Sequence, residues 1–176
     1  PGDVSDERTL VSDVLHDWNA IYSPSRRVML QPVGWEKNSI PEMGRHPQKI
    51  LNKQLLDDAD VLIAVFWTRI GTPTDTHQSG TIEEIEEHLS KGKPALIYFS
   101  DLPIRPDSVD DKQYSKLKKF KKSLRERGLI ENYSTIDEFA QKVTRHVHTL
   151  FSDAEKFPNP SVKSTGVQLK EINPSQ

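Results

Sequence analysis

The chain of 176 residues contains no cysteine, which excludes disulfide scaffolds, thiolate zinc sites and cysteine nucleophiles. Its longest apolar runs, such as Val61–Trp67, are only as long as one strand, so the sequence predicts neither a membrane span nor a signal peptide. The formal net charge is −2, so no overall field favours nucleic acid or an anionic membrane. We therefore expect a cytoplasmic protein with no membrane or nucleic-acid partner.

The standard catalytic motifs are also missing. The sequence has no GxxxxGKS or GxxxxGKT, no GxGxxG, no HExxH and no GxSxG. It therefore lacks the groups required by P-loop NTPases, conventional dinucleotide-binding proteins, zincins and α/β-hydrolases. The six histidines are scattered, and His146 and His148 point to different faces of a predicted helix, so we expect no metal site.

Strand and helix patterns alternate along the chain. A first helix is predicted by the helical spacing of Leu10, Val14, Leu15, Trp18 and Ile21, with Asp3 or Ser5 as its cap. Strands are predicted over 28–35, 61–67, 94–100 and 129–133, and further helices over 47–60, from about Thr81, over 115–128 and over 135–150. The alternation predicts the α/β class, as a flavodoxin-like or TIR-like open parallel sheet with helices on both faces.

The sequence also leads to a structural expectation at each end of the chain. A helix directly after Pro1-Gly2-Asp3 normally follows a strand in this architecture, so we expect that a first strand is missing from the sequence given. The last residues have low apolar content and several prolines. They predict a flexible tail or linker over 153–176, after one domain over 1–152.

Ligands of open parallel sheets bind beyond the carboxyl ends of the strands. In the predicted sheet, three kinds of residue lie at this edge: tryptophans that can stack on a flat ring, an arginine that can hold a phosphate, and glycines that allow close backbone approach. These residues are Trp35, Trp67, Arg69, Gly71 and Gly80. They indicate a nucleotide site, and the alternative is that both tryptophans are large core residues at strand ends.

Four glutamates occupy five positions after Ser79-Gly80-Thr81. Thr81 and Glu84 match the S/T-x-x-E capping box, in which the glutamate only satisfies a backbone N–H at the helix start. The other interpretation is that Glu84 faces the carboxyl edge of the sheet and is a functional residue of a site there. Glu83 and Glu84 lie on opposite shoulders of the predicted buried stripe, so spacing leaves both interpretations open.

The segment from Ser79 to Ile85, followed by Gly92-Lys93-Pro94 and a strand, resembles the "SGTxxEI…GKPV" segment of nucleoside 2-deoxyribosyltransferases. The resemblance implies that Glu84 is the carboxylate that cleaves an N-glycosidic bond. The same unit is similar to Toll/interleukin-1-receptor (TIR) domains that hydrolyse NAD, although Gly80-Thr81 replaces the usual Trp-Cys. Gln78 replaces an Asp found in some deoxyribosyltransferases, which leaves the substrate open.

Over nearly its whole folded length the chain resembles a bacterial TIR-like domain family of uncharacterised function, whose members are often fused to STAND NTPases and defence modules. The resemblance implies an N-glycosidase in bacterial anti-phage immunity, with NAD or a related nucleotide as substrate, no cofactor, and assembly into oligomers or through a fused domain. The ligand-binding residues implied are Gly2, Asp3, Trp35, Trp67, Arg69, Gly71, Ser79, Gly80 and Thr81. The alternative is a non-catalytic module that senses a nucleotide or self-assembles and signals to another domain.

A single catalytic carboxylate is compatible with this chemistry. Cleavage of an N-glycosidic bond develops positive charge on the sugar, which one carboxylate can stabilise or trap. A nicotinamide leaving group is already cationic and needs no general acid, so NAD suits a site with one glutamate. Asp3 and Glu36 are candidate second carboxylates, with helix capping and solvation as their respective alternatives.

Overall fold

The computed structural model describes residues 2–33, 58–71, 79–105, 107, 109–128, 130–153 and 157. Within these ranges, three parallel strands form an open sheet in the order β1 (Leu62–Phe66), β2 (Ala95–Ser100) and β3 (Glu131–Tyr133). Four helices accompany them: α1 (Ser5–Arg26), α2 (Gly80–Ser90), α3 (Asp111–Arg127) and α4 (Ile136–Ser152). The α/β class and the parallel sheet are therefore confirmed.

Both faces of the sheet are covered by helices. One hydrophobic cluster joins α1 and α4 to Val65, Tyr98 and Tyr133, and a second joins α2 and α3 to Phe66 and Phe99. Successive strand residues point to opposite faces, so a strand covered on both sides must be apolar at every position. This explains why the apolar runs of β1 and β2 are continuous in the sequence.

The predicted strands at 61–67, 94–100 and 129–133 are confirmed, and so are the helices expected near Thr81, over 115–128 and over 135–150. The third of the four helices begins earlier than predicted, because the carboxylate of Asp110 accepts hydrogen bonds from the backbone N–H groups of Lys112 and Gln113 at 2.9 and 3.1 Å. In the part of the chain that the structure describes, no helix is long and apolar enough to cross a membrane.

The strand predicted over 28–35 is wrong for residues 28–33, which form no strand. The side-chain amide of Asn19 takes the place of a neighbouring strand here. It accepts from the backbone N–H of Leu30 and donates to the carbonyl of Leu30, both at 2.7 Å. Pro32 also has no N–H to offer a sheet. The rest of this segment, Trp35 and Glu36 included, and most of the helix expected over 47–60 lie outside the described residues.

The start of α1 differs from the prediction as well. The N-cap is Val4, Ser5 is already helical, and no side chain caps the helix. Asp3 does not cap, because its carboxylate is bound to the loop after β1. Ile21 is 66% exposed, although it follows the same helical spacing as Trp18, which is only 5% exposed.

Candidate functional site

The turn before α1 is fixed to the carboxyl end of β1 by one carboxylate. Oδ2 of Asp3 accepts hydrogen bonds from the N–H of Thr68 at 2.8 Å, the hydroxyl of Thr68 at 2.7 Å and the N–H of Arg69 at 3.1 Å. Oδ1 is buried and has no hydrogen-bond partner in the described part of the chain. Asp3, the adjacent exposed Gly2 and the exposed Arg69 therefore lie together at the edge where the sequence predicted a ligand.

The loop after β1 packs closely on the start of α2. Gly71 has a φ of 106°, and a Cβ there would lie 2.8 Å from Oγ1 of Thr81 and 3.0 Å from Oγ of Ser79. Ser79 is fully buried, and its hydroxyl donates to the carbonyl of Ile70 at 2.5 Å. Only glycine fits at position 71, and the contact brings Gly71, Ser79, Gly80 and Thr81 into one compact unit.

The cap of α2 tests the capping-box interpretation of Glu84. The N-cap residue is Ser79, which makes no side-chain capping bond because its hydroxyl binds Ile70. Thr81 is already inside the helix, so Glu84 lies beyond the position that a capping-box glutamate occupies. The capping-box interpretation is therefore wrong.

Glu84 is half-buried and makes no hydrogen bond or ion pair with any residue that the structure describes. Burial is the largest cause and raises the pKa of its carboxyl; the positive charge of the N-terminal amino group opposes this shift, and the nearby Glu83 adds to it. One turn later on the same side of α2, His88 is buried, with Nε2 donating to the carbonyl of Pro94 at 3.1 Å. Its pKa is lowered, chiefly by burial, so the ring is neutral and does not compensate the charge of Glu84.

Two neighbouring glutamates have clear structural partners. Both carboxylate oxygens of Glu86 bind the guanidinium of Arg127 on α3, and Glu87 pairs with Lys91 at 3.3 Å. Because Glu86 faces α3, Glu84 lies on the other shoulder of α2, away from α3.

Trp67 is placed differently from the other predicted site residues. Its ring is half-buried against the cluster formed by α1 and α4, and its indole N–H donates to the carbonyl of Leu102 at 3.3 Å. The helix that carries Glu84 covers the opposite face of the sheet. The structure thus supports a packing role for Trp67 and does not bring its ring to the face that α2 covers.

A second carboxylate, which no motif in the sequence marks, lies at the ends of the strands. Glu7 is only 3% exposed, and its Oε1 accepts from the hydroxyl of Tyr133, the last residue of β3, at 2.7 Å. Burial raises the pKa of the Tyr133 hydroxyl, which keeps it a donor. The available signal was helical spacing, because Glu7 falls on the same side of α1 as Leu15 and Trp18.

The described residues contain no group of three or more histidine, aspartate or glutamate side chains that could hold a metal ion.

Comparison with known proteins identifies one family. The model of a family described as "Domain of unknown function (DUF4062)" matches residues 3–148, from the turn before α1 into α4. No curated protein and no solved structure matches the chain.

Proposed function

Because the chain belongs to the DUF4062 family, a domain family of unknown function, we propose its activity from the carboxyl edge of the sheet. The protein is an N-glycosidase that cleaves NAD or a related nucleotide, and Glu84 is its catalytic carboxylate. One observation carries this proposal: Glu84 is half-buried, has a raised pKa, and has no structural partner in the described part of the chain. A desolvated carboxylate kept without a partner reduces stability, and such groups concentrate at functional sites.

The proposed reaction needs only one carboxylate. The bond between the anomeric carbon of the ribose and the nicotinamide nitrogen breaks, and its electron pair goes to the pyridinium nitrogen, which leaves neutral. The positive charge that develops on the sugar is stabilised by Glu84, and partial burial strengthens that attraction. Water adds to the anomeric carbon, and its proton passes to the Glu84 carboxylate and then to solvent.

The start of α2 is suited to hold the diphosphate of the same ligand. Ser79 makes no capping bond to the first backbone N–H groups of α2, and a helix start of this kind attracts anions. Gly71 lets the preceding loop approach this helix closely, and Arg69, two residues earlier in that loop, is exposed and carries a guanidinium that can bind a phosphate. These features support a nucleotide bound across the loop after β1, with its ribose toward Glu84.

An enzyme that destroys NAD depletes a metabolite that its own host requires. Such an activity suits a defence effector that stays silent until it is triggered. We accordingly propose that the chain acts in bacterial anti-phage defence, and that its turnover rises when copies assemble.

The test measures nicotinamide release from NAD by chromatography, with dilute and with concentrated protein. Wild type should release nicotinamide, and Glu84→Gln should lose roughly a hundredfold or more of the rate, the order expected when an electrostatic group is removed from a transition state. Glu87→Gln is the matched control, because it makes the same change one turn away at a carboxylate paired with Lys91. It should keep full activity.

Two results would overturn the proposal. The first is equal turnover in wild type and Glu84→Gln. The second is no release by wild type at any protein concentration. If calorimetry then shows that NAD binds unchanged, the chain is a nucleotide sensor rather than an enzyme.

A further inference from the structure

An apolar groove runs between α1 and α4, on the sheet face opposite to the one that α2 covers. It is lined by Trp18, Ile21 and Tyr22 from α1 and by Ala140 and His148 from α4. The rings of Trp18 and Tyr22 lie 5.6 Å apart, and those of Tyr22 and His148 lie 4.9 Å apart. Trp18 is buried in the floor of the groove, whereas Tyr22 is half-buried and His148 is exposed.

Ile21 makes this surface unusual. It lies at the groove and is 66% exposed, although it follows the helical spacing of the buried stripe of α1. A single exposed apolar residue needs no explanation, but Ile21 lies next to the half-buried Tyr22, so the two form a small apolar strip along the groove. Such patches mark places where another surface binds.

Each side of the groove carries one exposed charged side chain, and the two charges have opposite signs. Asp17 lines it from α1, and Arg145 lines it from α4. Neither forms an ion pair with any residue in the described ranges, and the guanidinium of Arg145 lies 3.3 Å from Nε2 of His146. One surface therefore offers an apolar centre and unpaired charges of both signs.

From this arrangement we propose that the groove is the interface between two copies of this chain. An isologous interface uses the same patch on both copies, so the patch must complement itself. A two-fold axis along the groove places α1 of each copy against α4 of the other. Asp17 of one copy then faces Arg145 of the other, twice, and each Ile21 enters the facing groove.

The charges and the apolar centre have different roles in this interface. Aromatic and aliphatic side chains that lose contact with water supply most of the affinity. Charge pairs at the rim fix the register and reject wrong arrangements. A partner whose surface carried charges of one sign could pair with Asp17 or with Arg145, but not with both. A second copy of this chain offers a counter-charge to each.

The test is a charge swap followed by sedimentation velocity on the full chain, up to about 500 micromolar so that dissociation constants near 1 mM or tighter are detected. Wild type should dimerise. Asp17→Arg and Arg145→Asp should each weaken dimerisation by roughly tenfold or more, because each sets like charges against each other. The double variant should restore the dimer. Lys118→Glu on α3, an exposed charge change away from the groove, is the matched control and should not alter it.

All of the substituted side chains are exposed, so the variants should fold, and their circular dichroism melting curves verify this. A wild type that stays monomeric up to the highest concentration overturns the proposal. So does a dimer that tolerates both single reversals, or a double variant that stays monomeric. None of these outcomes depends on NAD cleavage, so the interface and the N-glycosidase activity succeed or fail separately.

Discussion

The hydrogen bond between Tyr133 and Glu7 allows a sharp test of how this fold is held together. Tyr133→Phe removes the hydroxyl that donates to Oε1 of Glu7 at 2.7 Å and that also hydrogen-bonds the side chain of Ser100. Glu7 is 3% exposed and Tyr133 is fully buried, so water cannot replace the lost donor. The substitution therefore leaves a carboxylate oxygen without a partner at the junction of α1 and β3.

The expected loss follows from that geometry. Hydrogen bonds to charged groups contribute about 1.5–3 kcal/mol, and an unpaired buried carboxylate adds its own desolvation cost. We expect Tyr133→Phe to lower the free energy of unfolding by about 2–4 kcal/mol, a large share of the roughly 5–15 kcal/mol typical of a domain. Urea unfolding at neutral pH, followed by circular dichroism, measures it.

A double-mutant cycle assigns the loss to Glu7. Glu7→Gln keeps an acceptor oxygen but removes the charge, so Tyr133→Phe should cost only about 1 kcal/mol in that background. An equal cost in both backgrounds would show that Glu7 is not the reason. A cost below about 0.5 kcal/mol in wild type would refute the inferred role of the hydrogen bond altogether.

Two further predictions concern the carboxyl edge. Because the pKa of Glu84 is raised from its ordinary 4.5, the wild type loses stability as the pH rises from that value through the folded pKa. Glu84→Gln should therefore melt at a higher temperature than wild type at pH 7, with the difference vanishing near pH 4; a difference that is constant with pH contradicts this. Gly71→Ala should cost about 2–5 kcal/mol in urea unfolding, from its φ of 106° and its contact with Oγ1 of Thr81. The cost should fall when Thr81→Ala is added, and a cost below about 0.5 kcal/mol would contradict the prediction.

The elements that sequence patterns predicted are those whose signal is local. The strands β1 and β2 are continuous apolar runs, and α3 and α4 carry apolar stripes at helical spacing. These patterns indicate which surface of each element is buried. Their order along the chain then fixes a parallel sheet. No knowledge of distant contacts is needed for any of these steps.

The predictions that failed depended on contacts between residues 9 and 11 positions apart, beyond the reach of a helical or strand pattern. Residues 28–33 have the composition of a strand, but the amide of Asn19 binds the backbone of Leu30 and replaces a neighbouring strand. Thr81 matches a capping motif, but α2 begins earlier, at a serine whose hydroxyl binds the loop after β1. In each case a side chain meets a backbone group that the local sequence does not reveal.

Glu7 and Glu84 show why the candidate site needed a structure as well as a sequence. Both are glutamates near the start of a helix, and helical spacing puts each beside a buried stripe. Glu7 reaches a tyrosine hydroxyl 126 residues away, so its burial is compensated, and its removal should cost stability. Glu84 is partly buried with no such partner in the described chain, so its charge reduces stability at neutral pH. Opposite effects of Glu7→Gln and Glu84→Gln on melting temperature would establish that one carboxylate stabilises the fold and that the other is kept for another purpose.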